Sequence, residues 1–385
     1  MIQIWDSRRP QPGTTTLIMA LMGFLLITDQ THLRDNTITQ EKHHATIKPD
    51  ASHLLVTIQT DELGKMQLFA GNGQHDYAID WDNDGIFDDT HQTGTATHYY
   101  DKPGIYTIRI KGTLQHITWC ISPGNSNDEN DWRIAKQQIH DVVQWGDIAW
   151  TSMRGMFAQC NKLRRWSARD TPNMTHVTDM GRMFESATRF NQPLNAWDVS
   201  NVRNMNSMFD FAIRFNQPLD HWDVSNVQNM SYMFNNADRF NQPLHTWDVS
   251  NVNQMSGMFA QTENFNQPLH TWNVSNAHYL DHMFYRAQAF NSSLADWNLK
   301  SAVSLDSMFK EAIAFNQPLN TWNVSQVRNM SHMFAYTTSF NQPLDQWDIR
   351  HVHTTNYMFY RASSFSQPLD MWDIRHVQNM DHMFR

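Results

Sequence analysis

Four aspartates in one short segment have the clearest potential for chemistry in this sequence. They share the spacing of a calcium-binding loop, at positions one, three, five and nine: Asp80, Asp82, Asp84 and Asp88. Gly85 stands at position six, where such loops turn sharply, and carboxylate oxygens are the ligands that Ca2+ prefers. The twelfth position, which requires a bidentate glutamate, is His91. The segment therefore predicts either weak Ca2+ binding or a solvated turn between strands.

Apart from this possible metal site, the sequence indicates no group of residues that could carry out chemistry. One column of acids and amides recurs along the chain: Asp198, Asp223, Asp248, Asn273, Asn298, Asn323, Asp348 and Asp373. Because Asp and Asn exchange there, the column predicts a hydrogen-bonding role that does not require a charge. The 20 histidines form no repeated His-x-x-x-His pair, and no phosphate-binding glycine loop or nucleophile motif is present. We therefore expect a protein that is not an enzyme, with no cofactor beyond the Ca2+ considered above.

The acidic turn must be positioned by the segments around it, and their pattern is typical of β-strands. Apolar and polar residues alternate in segments 54–58, 77–81 and 105–110, and glycines and asparagines separate these segments. Residues 51–113 are therefore predicted to form a small β-domain. Residues 114–180 are predicted to be a transition that ends in an atypical first repeat.

The rest of the chain is a regular repeat, in which tryptophan recurs at every twenty-fifth position. Eight tryptophans mark the period: Trp197, Trp222, Trp247, Trp272, Trp297, Trp322, Trp347 and Trp372. An unbroken period of this length predicts a solenoid over residues 181–385, in which equivalent side chains form rows along the axis. We expect the tryptophan row to belong to the core and not to a ligand platform.

Within each unit, the apolar spacing predicts a short helix. Met205, Met208, Phe209 and Ala212 follow the i, i+3, i+4, i+7 spacing of one helical face. The preceding Phe-x-x-Pro-Leu-x-x-Trp segment is short and contains proline, which favours an extended strand. The predicted fold class is therefore α+β, with a leucine-rich-repeat-like solenoid that has one short strand and one short helix in each repeat unit.

Polar columns of the repeat are expected to maintain the fold. One column of asparagines is predicted to bond the backbone of the adjacent turn: Asn191, Asn216, Asn241, Asn266, Asn291, Asn316 and Asn341. The Ser200-Asn201 column precedes each predicted helix and is expected to cap it.

The N-terminus and the overall charge bear on location and partners. Residues 17–27 form an apolar run after Arg8 and Arg9, too short to span a bilayer. This run predicts a signal peptide over residues 1–30 and a linker over 31–50, and a buried N-terminal segment is the alternative. A net charge of −9 without a basic run argues against nucleic acid and anionic membranes as partners, and no membrane span is predicted beyond the leader.

The two cysteines, Cys120 and Cys160, are far fewer than a disulfide scaffold contains. Cys160 occupies the position that Ala212 holds in later units, so we expect it to be a small core residue. A disulfide between the two cysteines is the alternative.

Two families resemble parts of this chain. The repeat Phe-Asn-Gln-Pro-Leu-x-x-Trp-Asp-Val-Ser-Asn-Val-x-Asn-Met-Ser-x-Met-Phe is similar to the repeats of BspA-like bacterial surface proteins. The Asp-Trp-Asp-Asn-Asp-Gly turn, followed by His98-Tyr99-Tyr100 and Gly104-Ile105-Tyr106-Thr107-Ile108, resembles the PKD family. The resemblances imply a solenoid proposed to act in adhesion, without catalytic residues, preceded by an immunoglobulin-like β-sandwich over residues 51–113.

These observations together predict a secreted or cell-surface protein. It is expected to act as a scaffold for adhesion, binding protein or glycan ligands on other cells or matrix through the solenoid surface. Variable pairs that could supply contacts are Asp220-His221, Asn235-Asn236, His245-Thr246, Tyr285-Arg286 and Tyr360-Arg361. The alternative function is carbohydrate binding by the β-domain, through exposed Trp81, Tyr99, Tyr100 or Tyr106, with the repeats as a stalk.

Overall fold

The computed structural model describes residues 50–60, 63–71, 73–119 and 139–384. The predicted signal peptide and all but the last residue of the predicted linker lie outside these residues, as does Cys120. Cys160 is buried, as predicted. Among the described residues, no helix has the length and apolar character needed to cross a membrane.

Nine β-strands form two sheets in the first part of the described chain. Their bounds are β1 Leu54–Gln59, β2 Lys65–Ala70, β3 His75–Asp80, β4 Asp89–Gln92, β5 Ala96–Tyr99, β6 Ile105–Leu114, β7 Ile117–Thr118, β8 Ile139–Gln144 and β9 Arg165–Trp166. The larger sheet has the order β4-β3-β6-β1-β8-β9, and the smaller has the order β5-β2-β7. Inward residues of both sheets, such as Ile58, Leu68 and Ile108, share one apolar core.

The larger sheet continues into the repeat region. Strand β8 pairs antiparallel with β1, and β9, which lies in the first irregular repeat, pairs parallel with β8. Buried residues form one continuous cluster from Leu54 to Trp372. The strands that hold the acidic turn and the repeats therefore share one core, and the described residues belong to one compact unit.

The predicted helix and strand of the repeat are both wrong. From residue 173 to residue 384 the described chain contains no helix, and its only β-structure is isolated parallel bridges. The bridges join equivalent residues of consecutive coils from Asp179 to Asn379, with Phe359 and Phe384 adding one more near the end. The repeat region is thus a solenoid of turns attached to a β-sandwich, and not an α+β leucine-rich-repeat fold.

Backbone hydrogen bonding explains why turns replace a helix. Between Met205 and Ala212 the chain makes three successive β-turns, in which alternate N–H groups donate to the carbonyl three residues earlier, at 2.9–3.2 Å. The other N–H groups donate to carbonyls of the next coil, as from Ser207 to Ser231, at 2.8–2.9 Å. In a helix, all these N–H and C=O groups would bond one another within the helix, and none would be available to join neighbouring coils.

The predicted inward face is nevertheless correct. Met205, Met208, Phe209 and Ala212 are all fully buried. Left-handed backbone at Ser207 (φ 53°) and Phe211 (φ 55°) separates the turns and keeps the chain from closing into a helix. The same inward set therefore arises from two different backbones.

The tryptophan row is confirmed. From Trp222 to Trp372, consecutive indole rings stack with centroids 6.3–6.4 Å apart and planes within 2–9°. Each of these indoles donates its Nε1–H to a leucine carbonyl 28 residues earlier, at 2.8–3.0 Å. All eight tryptophans are 2–8% exposed, so the row belongs to the core.

The polar columns also join neighbouring coils. The side-chain oxygen of each asparagine from Asn191 to Asn341 accepts the backbone N–H of the residue 25 positions later, at 2.8–3.0 Å, as predicted. The predicted helix-capping role of Ser200-Asn201 is wrong because no helix follows. Instead, Asn226 in that column donates its side-chain amide to the carbonyl of Ser200, one coil earlier, at 2.8 Å.

The Asp/Asn column closes a tight turn in each coil. Its side-chain oxygens accept the backbone N–H two residues later, at 3.0–3.2 Å, from Asp198 to Asp373. Asn273, Asn298 and Asn323 make the same bond as the aspartates, which confirms that the column does not require a charge.

Candidate functional site

One surface of the solenoid, here called the turn face, consists of two columns of residues with left-handed backbone. The first column is Arg182, Ser207, Tyr232, Gly257, His282, Ser307, His332, Tyr357 and His382, and the second is Ser186, Phe211, Asn236, Gln261, Arg286, Glu311, Tyr336 and Arg361. Their φ angles lie between 52° and 63°. Glycine is the residue best suited to this conformation, which costs other residues roughly 1–2 kcal/mol each, yet only one position is glycine.

The turn face becomes aromatic toward the end of the chain. The rings of His332 and Tyr357 stack with centroids 5.0 Å apart and planes within 1°, and Tyr357 and His382 lie 4.9 Å apart. Tyr360, beside the second column, contacts Tyr336 at 5.4 Å and Tyr357 at 5.3 Å. These rings form a continuous cluster over three coils.

Cationic side chains lie over several of these rings. The Arg361 guanidinium is 5.7 Å from the Tyr336 ring and 5.5 Å from the Tyr360 ring. Within the described residues, no carboxylate lies within 4.0 Å of this guanidinium. By contrast, Arg286 lies over Tyr285 at 5.1 Å and is paired with Glu311 at 2.6 Å. Arg361 therefore keeps its hydrogen-bond donors for solvent or a ligand.

Two carboxyl groups next to the turn face, those of Asp306 and Asp210, have shifted pKa values. Burial raises the pKa of Asp306, although His282 and His332 lie 3.9 and 3.8 Å from its oxygens and oppose the shift. Burial lowers the pKa of His332. Burial, and secondarily the negative charge of Glu185, raise the pKa of Asp210 to about 6.

The acidic turn brings together three of the four predicted calcium ligands. Carboxylate oxygens of Asp80, Asp82 and Asp88 lie within 4.8 Å of one another, whereas Asp84 is not part of this group. Asp80 is fully buried and accepts the N–H of Gly85 at 2.9 Å. These contacts stabilise the turn between β3 and β4 without an ion, and Ca2+ binding stays a prediction.

Further contacts tie the acidic turn to the β-domain. Asp88 accepts the N–H of Trp81 at 2.9 Å, and Arg109 approaches Asp80 at 3.9 Å. Burial raises the pKa of Asp80, although backbone N–H groups and Arg109 favour its charged form. The arrangement is that of a carboxylate that organises a loop.

An aromatic cleft adjoins the acidic turn. Its volume is about 390 Å3, and its lining is Trp81, Asp82, Asp88, His98, Tyr99, Tyr100, Asp101, Lys102 and Tyr106. Most of these rings are covered by one another: Trp81 stacks on His98 at 5.1 Å and Tyr100 on Tyr106 at 3.8 Å. Of the four aromatic residues predicted to be exposed, Trp81 is 1% exposed and Tyr99 is 65% exposed.

The sequence indicated only part of the turn face. The pairs Asn235-Asn236, Tyr285-Arg286 and Tyr360-Arg361 contribute to it, whereas Asp220-His221 and His245-Thr246 lie on the segment between the Leu and Trp columns. His332, Tyr336 and Tyr357 were not anticipated. A signal was available, because their positions, two residues after the first Met column and two residues after the Phe column, vary freely in residue type.

A family model matches the solenoid in three overlapping segments, residues 151–253, 220–313 and 295–385. The model describes a Mycoplasma protein of unknown function, DUF285, and the segments together cover more than half of the chain. The chain belongs to this family.

Membership of the DUF285 family corrects the family assignments inferred from the motifs. The BspA-like assignment of the repeats is wrong, because DUF285 is the family whose model matches them, and no match supports a PKD family for residues 51–113. Searches of curated proteins and of solved structures give no match.

Proposed function

We propose that this protein is a binding scaffold for adhesion that acts outside the cell, secreted or at the cell surface, and contacts protein or glycan ligands through the turn face. The observation that carries the proposal is the turn face itself, where one backbone conformation recurs in every coil while the side chains differ. Binding, and not catalysis, suits such a surface, because a catalytic site needs a single converging group of side chains.

Rigidity of the backbone supports this proposal. Each turn is bonded to the coils before and after it through alternate N–H and C=O groups, so the side chains of the turn face project from fixed positions. Tyrosine, histidine and arginine, which dominate the last coils, are residue types that supply large contact area and adaptable hydrogen bonds at interfaces. Little ordering of the backbone would accompany binding.

The proposal is tested with the full chain immobilised and probed with matrix proteins and glycans. The double variant Tyr357→Ser, Arg361→Ser is suited to this test, since Ser207 and Ser186 occupy the same columns in earlier coils. We expect about a tenfold or greater loss of affinity for the captured ligand with unchanged unfolding temperature. The matched control is His245→Asn, in a column where Asn195 occurs naturally.

Retention of full affinity by the double variant, or an equal loss in the control, would contradict the assignment to this part of the turn face. If no ligand in a broad panel binds, a spacer role is left for the repeats. Export is tested separately, by N-terminal sequencing of the mature protein for a cleavage near the predicted leader.

The alternative is carbohydrate binding by the β-domain, with the solenoid as its stalk. The cleft of about 390 Å3 and the exposed ring of Tyr99 favour this second function. Tyr99→Ser should then abolish glycan binding while the turn-face variant leaves it unchanged. The opposite pattern would support the turn face.

A further inference from the structure

A second surface of the solenoid is rich in histidine and arginine in the last coils. It lies on the segment just before the bridge residues Thr354 and Asn379, separate from the turn face. A cavity of about 460 Å3 opens there, and its lining is Arg350, His351, His353, His376 and Gln378. None of these five residues carries a carboxylate, so the wall of the cavity is made of hydrogen-bond donors and titratable bases.

The backbone partners of two of these histidines indicate which ring nitrogen carries the proton. The column of His351 is asparagine from Asn201 to Asn276 and then Ser301 and Gln326. Asn251 donates its side-chain amide to the carbonyl of Ser225 at 2.7 Å. His351 makes the equivalent contact, from Nδ1 to the carbonyl of Ser325 at 2.9 Å. Because a carbonyl oxygen only accepts, Nδ1 carries the hydrogen. His353 is held in the same way, by Nδ1 on the carbonyl of His351 at 2.8 Å.

This anchoring determines how the cavity responds to protons. A neutral imidazole whose Nδ1–H is bonded to the backbone has a lone pair at Nε2, away from that bond. Protonation adds a donor and a positive charge at Nε2 without breaking the Nδ1 bond. His351, His353 and His376 are all exposed, so solvent protons reach them.

Arg350 supplies a donor that is already oriented. Its Nε and Nη2 atoms bond the two oxygens of Asp348 at 2.8 and 2.7 Å, which uses two of the five guanidinium N–H groups. The remaining N–H groups are free to bond an oxyanion, and the pairing with Asp348 holds the planar group in place.

The neighbouring charged groups determine the net charge around the cavity. Asp348 pairs with Arg350, and Asp373 pairs with Arg375 at 2.5 Å, so these four groups cancel at neutral pH. Asp348 also faces His351, Asp373 faces His376, and Arg328 precedes His353 in its column. Protonation of the three imidazoles therefore adds positive charge to a cavity whose lining residues include no carboxylate.

We propose that this cavity is a binding site for an oxyanion, a phosphate or sulfate group, which binds together with proton uptake by His351, His353 and His376. Arg350 supplies the permanent donor, and the imidazolium Nε2–H groups supply the donors that appear as the pH falls. The proposal is independent of the role of the turn face. Three imidazoles could in principle hold a metal ion, but among the described residues only Asp80, Asp82 and Asp88 bring three ligand atoms within 4.8 Å.

Calorimetric titration of the full chain with inorganic sulfate, whose charge is the same at about pH 5.5 and about pH 7.5, tests the proposal, and inorganic phosphate is titrated beside it. We expect binding at the lower pH to be at least about tenfold tighter, because each charge-assisted hydrogen bond adds to affinity. The double variant His351→Asn, His376→Asn should lose about tenfold or more at the lower pH. Its fold should be intact, because Asn226, Asn251 and Asn276 occupy the same column in earlier coils and donate their side-chain amides to the carbonyl of the preceding coil.

His278→Asn is the matched control. His278 lies in the column of His353 and has the same kind of Nδ1 bond, to the carbonyl of Asn276 at 2.8 Å. Ser275, however, stands where the cavity has Arg350. This variant should bind sulfate as the wild type does. Equal sulfate affinity at the two pH values, no binding at either, or unchanged affinity in the double variant would overturn the proposal. Tight binding of Zn2+ alone, lost in the double variant, would also overturn it in favour of a metal site.

A parallel titration with a sulfated oligosaccharide distinguishes the source of the oxyanion. If the oligosaccharide binds more tightly than phosphate and loses affinity in the double variant, the ligand is a sulfated glycan. If the inorganic anions bind and the oligosaccharide does not, with the expected pH dependence for sulfate and the same loss in the double variant, the ligand is a small free anion. Both results support an oxyanion site.

Discussion

Asp210 is predicted to destabilise the solenoid at neutral pH, and its replacement by asparagine should therefore stabilise the fold. Its carboxyl lies on the edge of the turn face, where Asn235 donates a hydrogen bond to Oδ1 at 2.8 Å. Burial, with a contribution from Glu185, raises the pKa of Asp210 from 3.8 to about 6. The variant Asp210→Asn keeps the oxygen that accepts from Asn235 and removes the charge.

The direction of the pH dependence follows from proton linkage. Because the folded pKa is above the ordinary value, the folded state holds the proton more tightly than the unfolded state does. The stabilisation by protonation is complete below about pH 4 and is lost as the pH rises through about 6. At about 1.4 kcal/mol for each pKa unit, the full difference corresponds to about 3 kcal/mol. Screening by solvent at this partly exposed side chain reduces the expected effect to about 1–2 kcal/mol.

Urea unfolding of the wild type and of Asp210→Asn, followed from about pH 4 to about pH 8, measures the effect. The variant should be more stable by about 1–2 kcal/mol above pH 6, and the difference should shrink toward pH 4. The control is Asp223→Asn, in a column where asparagine occurs naturally and makes the same turn bond, and it should change stability by less than about 0.5 kcal/mol. A variant that is less stable at pH 7.5, or a difference that does not vary with pH, would refute the reasoning.

Three further predictions concern the bonds between coils and the left-handed turns. Trp297→Phe keeps a stacked ring but removes the indole bond to Leu269 at 2.9 Å, and should cost about 1–3 kcal/mol in urea unfolding; wild-type stability would show that the bond contributes nothing. Asn241→Ala leaves the N–H of Asn266 without its acceptor and should cost about 1–2 kcal/mol, more than Asn241→Asp, which keeps an oxygen; equal losses would argue against the ladder. At Tyr232 (φ 57°), glycine should be more stable than alanine by about 1 kcal/mol in thermal unfolding, and the reverse order would exclude a left-handed backbone there.

Rows and columns of the solenoid could be predicted from the sequence because they follow from the repeat alone. The tryptophan row needs only a fixed period and coils that stack, and the buried indoles from Trp222 to Trp372 meet that expectation. The ladder from Asn191 to Asn341 follows similarly, since a recurring amide in a stacked coil has the adjacent coil as its nearest partner. Both features depend on translation from one unit to the next and not on the path of the chain within a unit.

The backbone within each unit could not be predicted in this way. Helical spacing at Met205, Met208, Phe209 and Ala212 records which side chains are buried, and three β-turns bury the same set. Glycine, the usual sign of a left-handed residue, is absent from Ser207 and Phe211. The hydrogen bonds that hold these residues left-handed join them to carbonyls of the next coil, so no local propensity could indicate them.

The acidic turn shows the same limit for a site. The spacing of the aspartates correctly placed Asp80, Asp82 and Asp88 together. Their backbone hydrogen bonds, from Gly85 to Asp80 and from Trp81 to Asp88, are a property of the folded loop. Oxygens that already satisfy backbone N–H groups are not evidence for an ion, and the motif alone could not distinguish the two roles.

Some columns of the repeat hold the fold together and others form its surface, so the surface can differ while the fold stays the same. Inward residues, the indole bonds and the amide ladder hold the coils in register, and they hardly change from unit to unit. Residues of the turn face stabilise the fold mainly through their backbone hydrogen bonds. Serine, glycine, tyrosine and histidine therefore all occur in the column of Tyr357. Substitutions there can change what the protein contacts while leaving the ladder intact. A solenoid of turns therefore lets its exposed side chains vary independently of its stability, coil by coil.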